Sequence, residues 1–189
     1  MGISKFKMPA KSNLKGRSST ISNAFAIAIT PYIIPKEDEL RDFYSLLEIE
    51  ENQCAYCLGE GNGKDHLKPL VRNGLPTGYI TDLHNLVPCC QACNSSKGAK
   101  EFKDWYISKP NKDRLISRGM TEEQIMRRYK VVSNYEELIP DPLDYKSIVG
   151  DELWNEYEKR RKDMIQQLND NQEFCDKLYN KIIMKISEN

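Results

Sequence analysis

Apolar residues in the first fifty positions recur at helical spacing in two stretches. The first follows hydroxyl side chains at residues 18–20, which can cap a helix, and ends before two prolines. Its predicted buried face, at i, i+3, i+4 and i+7, is Ile21, Ala24, Phe25 and Ala28. A second helix begins with acidic residues at 37–39, which suit the positive end of a helix dipole. Its predicted buried face is Leu40, Phe43, Tyr44 and Leu47.

The centre of the chain has short apolar runs broken by glycine and proline. A strand is predicted around residues 65–70, followed by a loop through residues 73–78. A second strand is predicted around residues 83–87, and Pro88 is expected to end it. A helix runs on from about Gln91. The predicted order is therefore strand, loop, strand, helix.

The last third of the chain again has helical periodicity. Thr121 and Gln124 have the spacing of a capping box, which opens a helix carrying Ile125, Met126 and Tyr129. After a break at residues 140–142, a long helix is predicted from residue 151, with an interruption around residues 169–171. Its predicted apolar stripe is Leu153, Tyr157, Met164 and Leu168, continued by Leu178, Ile182 and Ile186.

Helices dominate this pattern, so the predicted fold class is α+β, mostly helical. A small core of two strands and a helix is flanked by helices on both sides. We predict four segments: a basic arm at residues 1–17, helices at residues 18–50, the strand-containing core at residues 51–108, and a helical region at residues 109–189.

The formal net charge of the 189 residues is zero, which excludes a uniformly basic coat for nucleic acid. The distribution is uneven, because no acidic residue precedes Glu37. The basic residues before it either contact phosphate or form a solvated, disordered tail: Lys5, Lys7, Lys11, Lys15, Arg17 and Lys36.

No apolar run reaches the roughly 20 residues that cross a bilayer. No long apolar segment of a signal peptide follows the N-terminal lysines. We therefore expect a cytoplasmic protein with no membrane partner.

Six cysteines in such a chain predict metal ligands before disulfides. Four of them form two C-x-x-C pairs, Cys54 with Cys57 and Cys90 with Cys93. Two such pairs suit a tetrahedral Zn²⁺ held by four thiolates, and this zinc should be structural because no coordination position stays open. The alternative is four buried cysteines that pack as small apolar groups. Cys89 is a rival ligand to Cys90 but breaks the spacing.

The remaining cysteine, Cys175, falls on the predicted stripe of the long helix, and we expect it to be a core residue.

Polar residues with catalytic potential lie between and beside the two cysteine pairs. Asp65-His66 comes first, then Asn85-Leu86, and the second pair continues directly into Asn94 and Lys97. At these residues the chain resembles the HNH, or ββα-metal, nucleases, whose pattern is Asp-His, Asn-Leu, then Cys-x-x-Cys-Asn-x-x-Lys. The resemblance covers roughly residues 54–100. It points to the zinc-stabilised branch, which includes some restriction endonucleases and some phage nucleases.

The resemblance implies a role for each residue. His66 would be the general base, a task suited to imidazole near neutral pH. Asp65 and Asn94 would be ligands of a catalytic Mg²⁺ or Mn²⁺ through oxygen atoms. Asn85 would brace the loop and orient His66. Lys97 would contact nucleic-acid phosphate, unless it is an ordinary solvated lysine.

Each role has a simpler alternative. His66 could be a hydrogen-bonded core histidine, Asp65 a turn residue, and Asn94 a helix cap. The family pattern often has histidine at the position of Asn94, so only one clear imidazole remains in the site. The second histidine, His84, is expected to be structural.

The function implied by the resemblance is an endonuclease that hydrolyses DNA, most readily duplex DNA, with one divalent cation. Restriction, another anti-phage role or phage DNA processing are the settings it suggests. Residues 109–189 would then serve DNA recognition or dimerisation, and a homodimer would suit cleavage of both strands. The rival hypothesis is a non-catalytic zinc-binding module that binds DNA. It needs the cysteines but not Asp65, His66 or Asn94.

Overall fold

The computed structural model describes residues 9–188. A 3₁₀ turn at Lys15–Arg17 precedes a series of α-helices and short strands. In chain order these elements are α1 (Ser18–Ala28), α2 (Glu37–Leu46), β1 (Gly63–His66), β2 (Val71–Arg72), β3 (Leu75–Pro76), β4 (Leu86–Cys89), α3 (Gln91–Lys97), α4 (Phe102–Ile107), α5 (Lys109–Ser117), α6 (Glu122–Glu136), α7 (Tyr145–Val149) and α8 (Asp151–Ser187). This series confirms the predicted α+β, mostly helical class. Lys5 and Lys7 of the predicted basic arm lie outside the described residues.

The chain divides into two compact units. One consists of the described residues before Ala26 together with those after Tyr145, and the other is Ala26–Tyr145. All the predicted zinc and catalytic residues belong to the second unit. The segment boundaries predicted at residues 17, 50 and 108 stay predictions.

The core of the second unit contains a two-stranded antiparallel sheet followed by a helix. β1 pairs with β4 from Gly63↔Cys89 to His66↔Leu86, and α3 begins two residues after β4 ends. A separate small hairpin, β2 with β3, lies between these strands in the sequence. This is the predicted order, although both strands are shifted in position, β1 towards the N-terminus and β4 towards the C-terminus.

Pro88 does not end its strand as predicted, since β4 continues through it to Cys89. In an antiparallel ladder, residue pairs with and without hydrogen bonds alternate. Leu67 N donates to Asn85 O at 2.9 Å, so Leu67 and Asn85 form a hydrogen-bonded pair. Lys64↔Pro88 falls on a pair without ladder hydrogen bonds. The missing N–H of Pro88 therefore costs the sheet no hydrogen bond.

Aromatic side chains fill the interior beside this sheet. Tyr56, Phe102 and Tyr106 are fully buried, and Trp105 is nearly so. The ring of Tyr56 stacks on Phe102 at a centroid distance of 5.7 Å and meets Trp105 edge-on at 5.1 Å. Offset and edge contacts of this kind favour a single arrangement of rings. The helix that supplies both Phe102 and Trp105, α4, was not predicted.

The other helices of this unit follow the sequence pattern in part. Phe43 and Leu47 are buried as predicted, with Leu40 and Tyr44 partly so. Thr121 Oγ1 accepts from Gln124 N at 3.2 Å, and Gln124 Oε1 accepts from Thr121 N at 2.9 Å, which confirms the capping box of α6. In α1 the predicted face is wrong at Ala24 and Ala28, which are exposed, whereas Ser22 and Ala26 are buried.

In the unit that contains α8, the N-terminal segment packs along the long helix. Leu14 N donates to Gln172 Oε1 at 2.6 Å, and the rings of Phe25 and Tyr157 lie 6.1 Å apart. Because the segment covers the side of α8 that carries Tyr157 and Gln172, the predicted stripe is wrong elsewhere on the helix. Its exposed members are Leu153, Met164, Leu178, Ile182 and Ile186.

Two further predictions about α8 are corrected. The helix continues without interruption through residues 169–171. Cys175 is exposed and therefore not a core residue. Among residues 9–188, no helix combines the length and the apolar character needed to cross a bilayer.

Candidate metal centre and active site

The four cysteines of the two C-x-x-C pairs converge. All four sulfur atoms lie within 4.8 Å of one another, and Cys57 Sγ is 3.8 Å from Cys90 Sγ. Sulfurs at about 2.3 Å from a tetrahedral zinc are roughly 3.8 Å apart, so the cluster fits Zn²⁺. Cys54 and Cys57 occupy a turn before β1, in which Leu58 N donates to Cys54 O at 2.9 Å. Cys90 precedes the first turn of α3, and Cys93 lies within that turn.

Hydrogen bonds among these sulfurs distribute the protons of the cluster unevenly. Bonds from Cys54 and then Cys93 lower the pKa of Cys57, whereas bonds with Cys54 and Cys57 raise the pKa of Cys93. Four neighbouring thiols cannot all lose their protons without a cation to hold the charge. Zinc would supply that charge and take all four as thiolates.

Cys89 is not one of the four clustered cysteines. It is fully buried, and burial raises the pKa of its thiol to about 12. Its neighbour Cys90 takes the ligand position, as the spacing predicts.

Two arginines from the region of α5 reach the sulfurs. Arg114 Nη2 donates to Cys93 Sγ at 3.4 Å, and Arg118 Nη1 donates to Cys90 Sγ at the same distance. The hydrogen bond with Cys90 raises the pKa of Arg118. The arginines therefore offset part of the negative charge of the cluster.

Asp65 lies on β1 with its carboxylate in the interior. Its Oδ2 accepts from the Tyr56 hydroxyl at 2.6 Å and lies 3.1 Å from Lys97 Nζ. Burial and then the charge of Asp65 hold the pKa of Tyr56 well above 10, so Tyr56 remains a hydroxyl donor. Among the described residues, none donates a hydrogen bond to Asp65 Oδ1.

His66 follows on the opposite face of β1, as alternation along a strand requires. Its side chain is half-buried, and its Nε2 lies 3.0 Å from the hydroxyl of Thr81. Burial lowers the pKa of His66 below 6.5; the charge of Lys97 adds to this shift, whereas Asp65 and Asp82 oppose it. The imidazole is therefore neutral near pH 7.

Asn94 lies on α3 directly after Cys93 and is half-buried. Its Nδ2 donates to Lys64 O at 3.5 Å, which turns the amide towards β1, the strand that carries Asp65 and His66. Its Oδ1 accepts no hydrogen bond from the described residues.

Asn85 is almost completely buried and cross-links the loop before β4. Its Oδ1 accepts from Lys68 N at 2.8 Å, and its Nδ2 donates to Lys68 O at 3.1 Å and to Ile80 O at 3.0 Å. These bonds hold together the chain that follows His66 and the chain that precedes Thr81. Asn85 is thereby linked to the position of the imidazole without touching it.

Lys97 occupies a different place from the surface lysine that was expected to contact phosphate. It is 1% exposed, and its Nζ donates to His66 O at 2.8 Å besides its contact with Asp65. A phosphate outside the protein cannot reach this ammonium without a rearrangement. The second histidine, His84, is exposed, and its Nδ1 lies 3.9 Å from Asp82.

Three contributors to the site were missed at the level of sequence: Tyr56, Thr81 and the arginine pair. Tyr56 carried a signal, because it lies within the first C-x-x-C pair and so must lie near the metal. Thr81 and the arginines carried none, since their contacts depend on chain segments distant in sequence.

Comparison with known proteins agrees with this geometry. The family model described as HNH endonuclease matches residues 54–100. No curated protein and no solved structure gives a significant match to the chain. The matched residues include both cysteine pairs together with Asp65, His66, Asn85, Asn94 and Lys97, but not Arg114 or Arg118. Residues 54–100 therefore form an HNH endonuclease domain, and its four clustered cysteines are consistent with the zinc-binding branch of that family.

Proposed function

We propose that the protein is an endonuclease that hydrolyses DNA phosphodiester bonds with one divalent cation and with His66 as the general base. The observation that supports this proposal is the placement of three polar residues on one strand and one helix, which Lys97 of the helix joins through its contacts with Asp65 Oδ2 and His66 O. β1 supplies Asp65 and His66, and α3 supplies Asn94 from a position next to a zinc ligand.

The donor atoms of Asp65 and Asn94 fit Mg²⁺ or Mn²⁺, which prefer oxygen ligands. Asp65 Oδ1 and Asn94 Oδ1 are the oxygens that would hold the cation, since the other polar atom of each side chain is already hydrogen-bonded. A cation bound there stabilises charge on the phosphate and on the departing oxygen. The zinc site positions α3 and the turn before β1, and so supports both ligands.

His66 suits the role of base for two reasons. Its lowered pKa keeps the imidazole neutral and ready to take a proton from water near pH 7. In the tautomer whose Nε2–H donates to the Thr81 hydroxyl, the lone pair lies on Nδ1. Nδ1 has no hydrogen bond with the described residues and is the nitrogen that would accept the proton.

The decisive experiment compares the two histidines of the chain. Supercoiled plasmid is incubated with Mg²⁺ and the zinc-loaded parent, His66→Ala or His84→Ala protein. We expect His66→Ala to lose about 10²- to 10⁴-fold in cleavage rate with its zinc and circular dichroism unchanged. His84→Ala should stay close to the parent. Equal cleavage by His66→Ala and the parent would reject His66 as the base.

The rival is a zinc-binding DNA-binding module without catalysis. It is favoured if the parent retards plasmid DNA in a gel but leaves it intact at every Mg²⁺ and Mn²⁺ concentration. Sequencing of product ends separates the two further, because the proposed chemistry leaves a 5′-phosphate and a 3′-hydroxyl. Cleavage that persists after removal of Mg²⁺ and Mn²⁺, with zinc retained, would contradict the single-cation scheme.

We place the enzyme in restriction or another form of defence against phage, which are settings that its resemblance to the zinc-stabilised HNH nucleases suggests. The supporting result would be reduced phage plating on cells that make the parent but not on cells that make His66→Ala. A homodimer stays a prediction, and light scattering with and without DNA tests it.

A further inference from the structure

Tyr56 joins the zinc site to a proposed catalytic ligand. It lies inside the first C-x-x-C pair, directly before Cys57, and is fully buried. Its hydroxyl donates to Asp65 Oδ2 at 2.6 Å. A short bond to a carboxylate is among the stronger hydrogen bonds in proteins. The turn from Cys54 to Cys57, which we call the zinc turn, therefore also supplies a direct partner of Asp65.

The position of Tyr56 is fixed from several sides. Its ring stacks on Phe102 and meets Trp105 edge-on. Its backbone carbonyl accepts from the Tyr106 hydroxyl at 2.7 Å. The preceding residue, Ala55, donates its N–H to Pro88 O in β4 at 2.8 Å. These contacts fix the ring and the backbone of Tyr56, and so they also fix the position of the hydroxyl that donates to Asp65.

A second donor reaches the same carboxylate oxygen from the other half of the zinc site. Lys97 lies on α3, one helical turn after the ligand Cys93, and its Nζ is 3.1 Å from Asp65 Oδ2. The turn that carries the first cysteine pair and the helix that follows the second therefore contribute one donor each to Oδ2. With Oδ2 occupied twice, Oδ1 is the oxygen of Asp65 that stays available to a cation.

We propose that Tyr56 is a positioning residue: its hydroxyl, held by the zinc turn, fixes Asp65 so that Oδ1 faces the catalytic cation, and the structural zinc thereby sets the affinity for that cation. This inference rests on the proposed function, in which Asp65 is a ligand. It extends that function because the zinc acts on both oxygen ligands, on Asn94 through Cys93 and on Asp65 through Tyr56. Partners of this kind alter metal affinity by about 10- to 100-fold when they are removed.

The chain offers a matched control for removal of this hydroxyl. Tyr56 and Tyr135 are both buried tyrosines, and the hydroxyl of each donates one hydrogen bond of 2.6 Å, from Tyr56 to Asp65 Oδ2 and from Tyr135 to Leu83 O. Only Tyr56 donates to Asp65. Tyr56→Phe and Tyr135→Phe therefore remove the same buried hydroxyl group, with and without loss of the bond to the carboxylate.

The test measures Mn²⁺ binding to the zinc-loaded full chain without DNA, from the electron paramagnetic resonance signal of free Mn²⁺. Zinc per chain is measured on the same samples. We expect the Kd for Mn²⁺ to rise about tenfold in Tyr56→Phe and to stay within about twofold in Tyr135→Phe, with zinc unchanged in both. In cleavage assays, the Mg²⁺ concentration for half-maximal rate should rise with the Kd, while the rate at saturating Mg²⁺ stays within about threefold.

An unchanged Kd in Tyr56→Phe would overturn the proposal, and so would equal increases in both variants, because a general packing role predicts equality. Should Tyr56→Phe lose its zinc or its fold, proton NMR on the parent decides. Saturating Mg²⁺ should shift the hydroxyl proton of Tyr56 and leave that of Tyr135 in place. Absence of any shift at Tyr56 would also overturn the proposal.

Failure of this inference is separable from failure of the proposed function. A parent that binds Mn²⁺ in a Tyr56-dependent manner but cleaves no DNA rejects the nuclease and supports the positioning role. A parent that cleaves DNA, with the same Mn²⁺ Kd in Tyr56→Phe, rejects the positioning role alone. If the parent protein binds no Mn²⁺, the positioning role of Tyr56 is also rejected.

Discussion

The ammonium of Lys97 lies 3.1 Å from the carboxylate of Asp65, and both side chains are buried. A lysine inside a small protein is unusual unless a charge pairs with it. Here the partner is the carboxylate proposed to bind the catalytic cation. The lysine of the family pattern thus balances a charge in the interior.

Lys97→Met is expected to destabilise the protein, because it leaves the buried carboxylate of Asp65 without its cation. Breaking a buried pair from one side costs about 3–5 kcal/mol. Urea unfolding of the zinc-loaded chain, followed by circular dichroism, measures the loss. Added Mg²⁺ should restore part of it if Asp65 holds that cation.

The matched control is Lys100→Met, three residues further along the chain. Lys100 is exposed, and its Nζ donates to Ser96 O at 2.8 Å. Its substitution should change the free energy of unfolding by no more than about 0.5 kcal/mol. Equal stability of the two variants would mean that the pair of Lys97 with Asp65 contributes little.

The pH dependence of cleavage should report the lowered pKa of His66. Burial disfavours the imidazolium, so the rate is expected to fall on the acid side with a midpoint below pH 6.5. The same shift acts on stability. Below pH 6.5 the unfolded chain takes up the proton first, so the free energy of unfolding decreases as the pH falls towards the pKa of the folded state.

Initial rates between about pH 5 and pH 8 at saturating Mg²⁺ give this midpoint. The residual rate of His66→Ala should lack the acid limb, whereas His84→Ala should keep it. A midpoint above pH 6.5 in the parent would contradict the assignment of the limb to a buried His66.

Alkylation should distinguish the cysteines by their environment. In the zinc-loaded protein we expect iodoacetamide to label Cys175, because its thiol is exposed. Cys89 should resist, since it is buried and its pKa is raised to about 12. Peptide mass mapping measures the labels, and Cys175→Ser should abolish rapid labelling. Labelling of the four clustered cysteines as fast as Cys175, with zinc present, would contradict their role as ligands.

The sequence was informative where chemistry depends on spacing along the chain. The four-cysteine cluster follows from two C-x-x-C pairs, because a short turn or a helix start can offer both sulfurs to one ion. The capping box of α6 and the long helix from residue 151 are likewise local features. The link between Asn94 and the zinc site could also be predicted from the sequence, because Asn94 directly follows Cys93.

The sequence was uninformative where a contact depends on which surface another segment covers. The stripe of α8 was misplaced because its packed side is chosen by the N-terminal segment, and periodicity alone offers several apolar sides. The burial of Lys97 depends on the position of Asp65, which lies far from it in the chain. The contacts of Arg114 and Arg118 with sulfur also join distant segments, and their spacing is that of any solvated helix.

Removal of those two arginines should accelerate zinc loss. Four thiolates around Zn²⁺ leave a net charge of about −2, and the guanidinium groups of Arg114 and Arg118 lie against two of the sulfurs. Arg114→Met with Arg118→Met should therefore release zinc to an excess of chelator about tenfold faster than the parent, since a hydrogen bond to a charged group contributes about 1.5–3 kcal/mol and Arg118 is largely solvated. A colorimetric chelator follows the release.

Arg127→Met is the control, because Arg127 is exposed and bonds to Glu48, not to sulfur. Equal release rates for the double variant and Arg127→Met would mean that the arginines do not stabilise the bound metal, whereas faster release from the double variant alone would place α5 among the elements that hold the zinc site together.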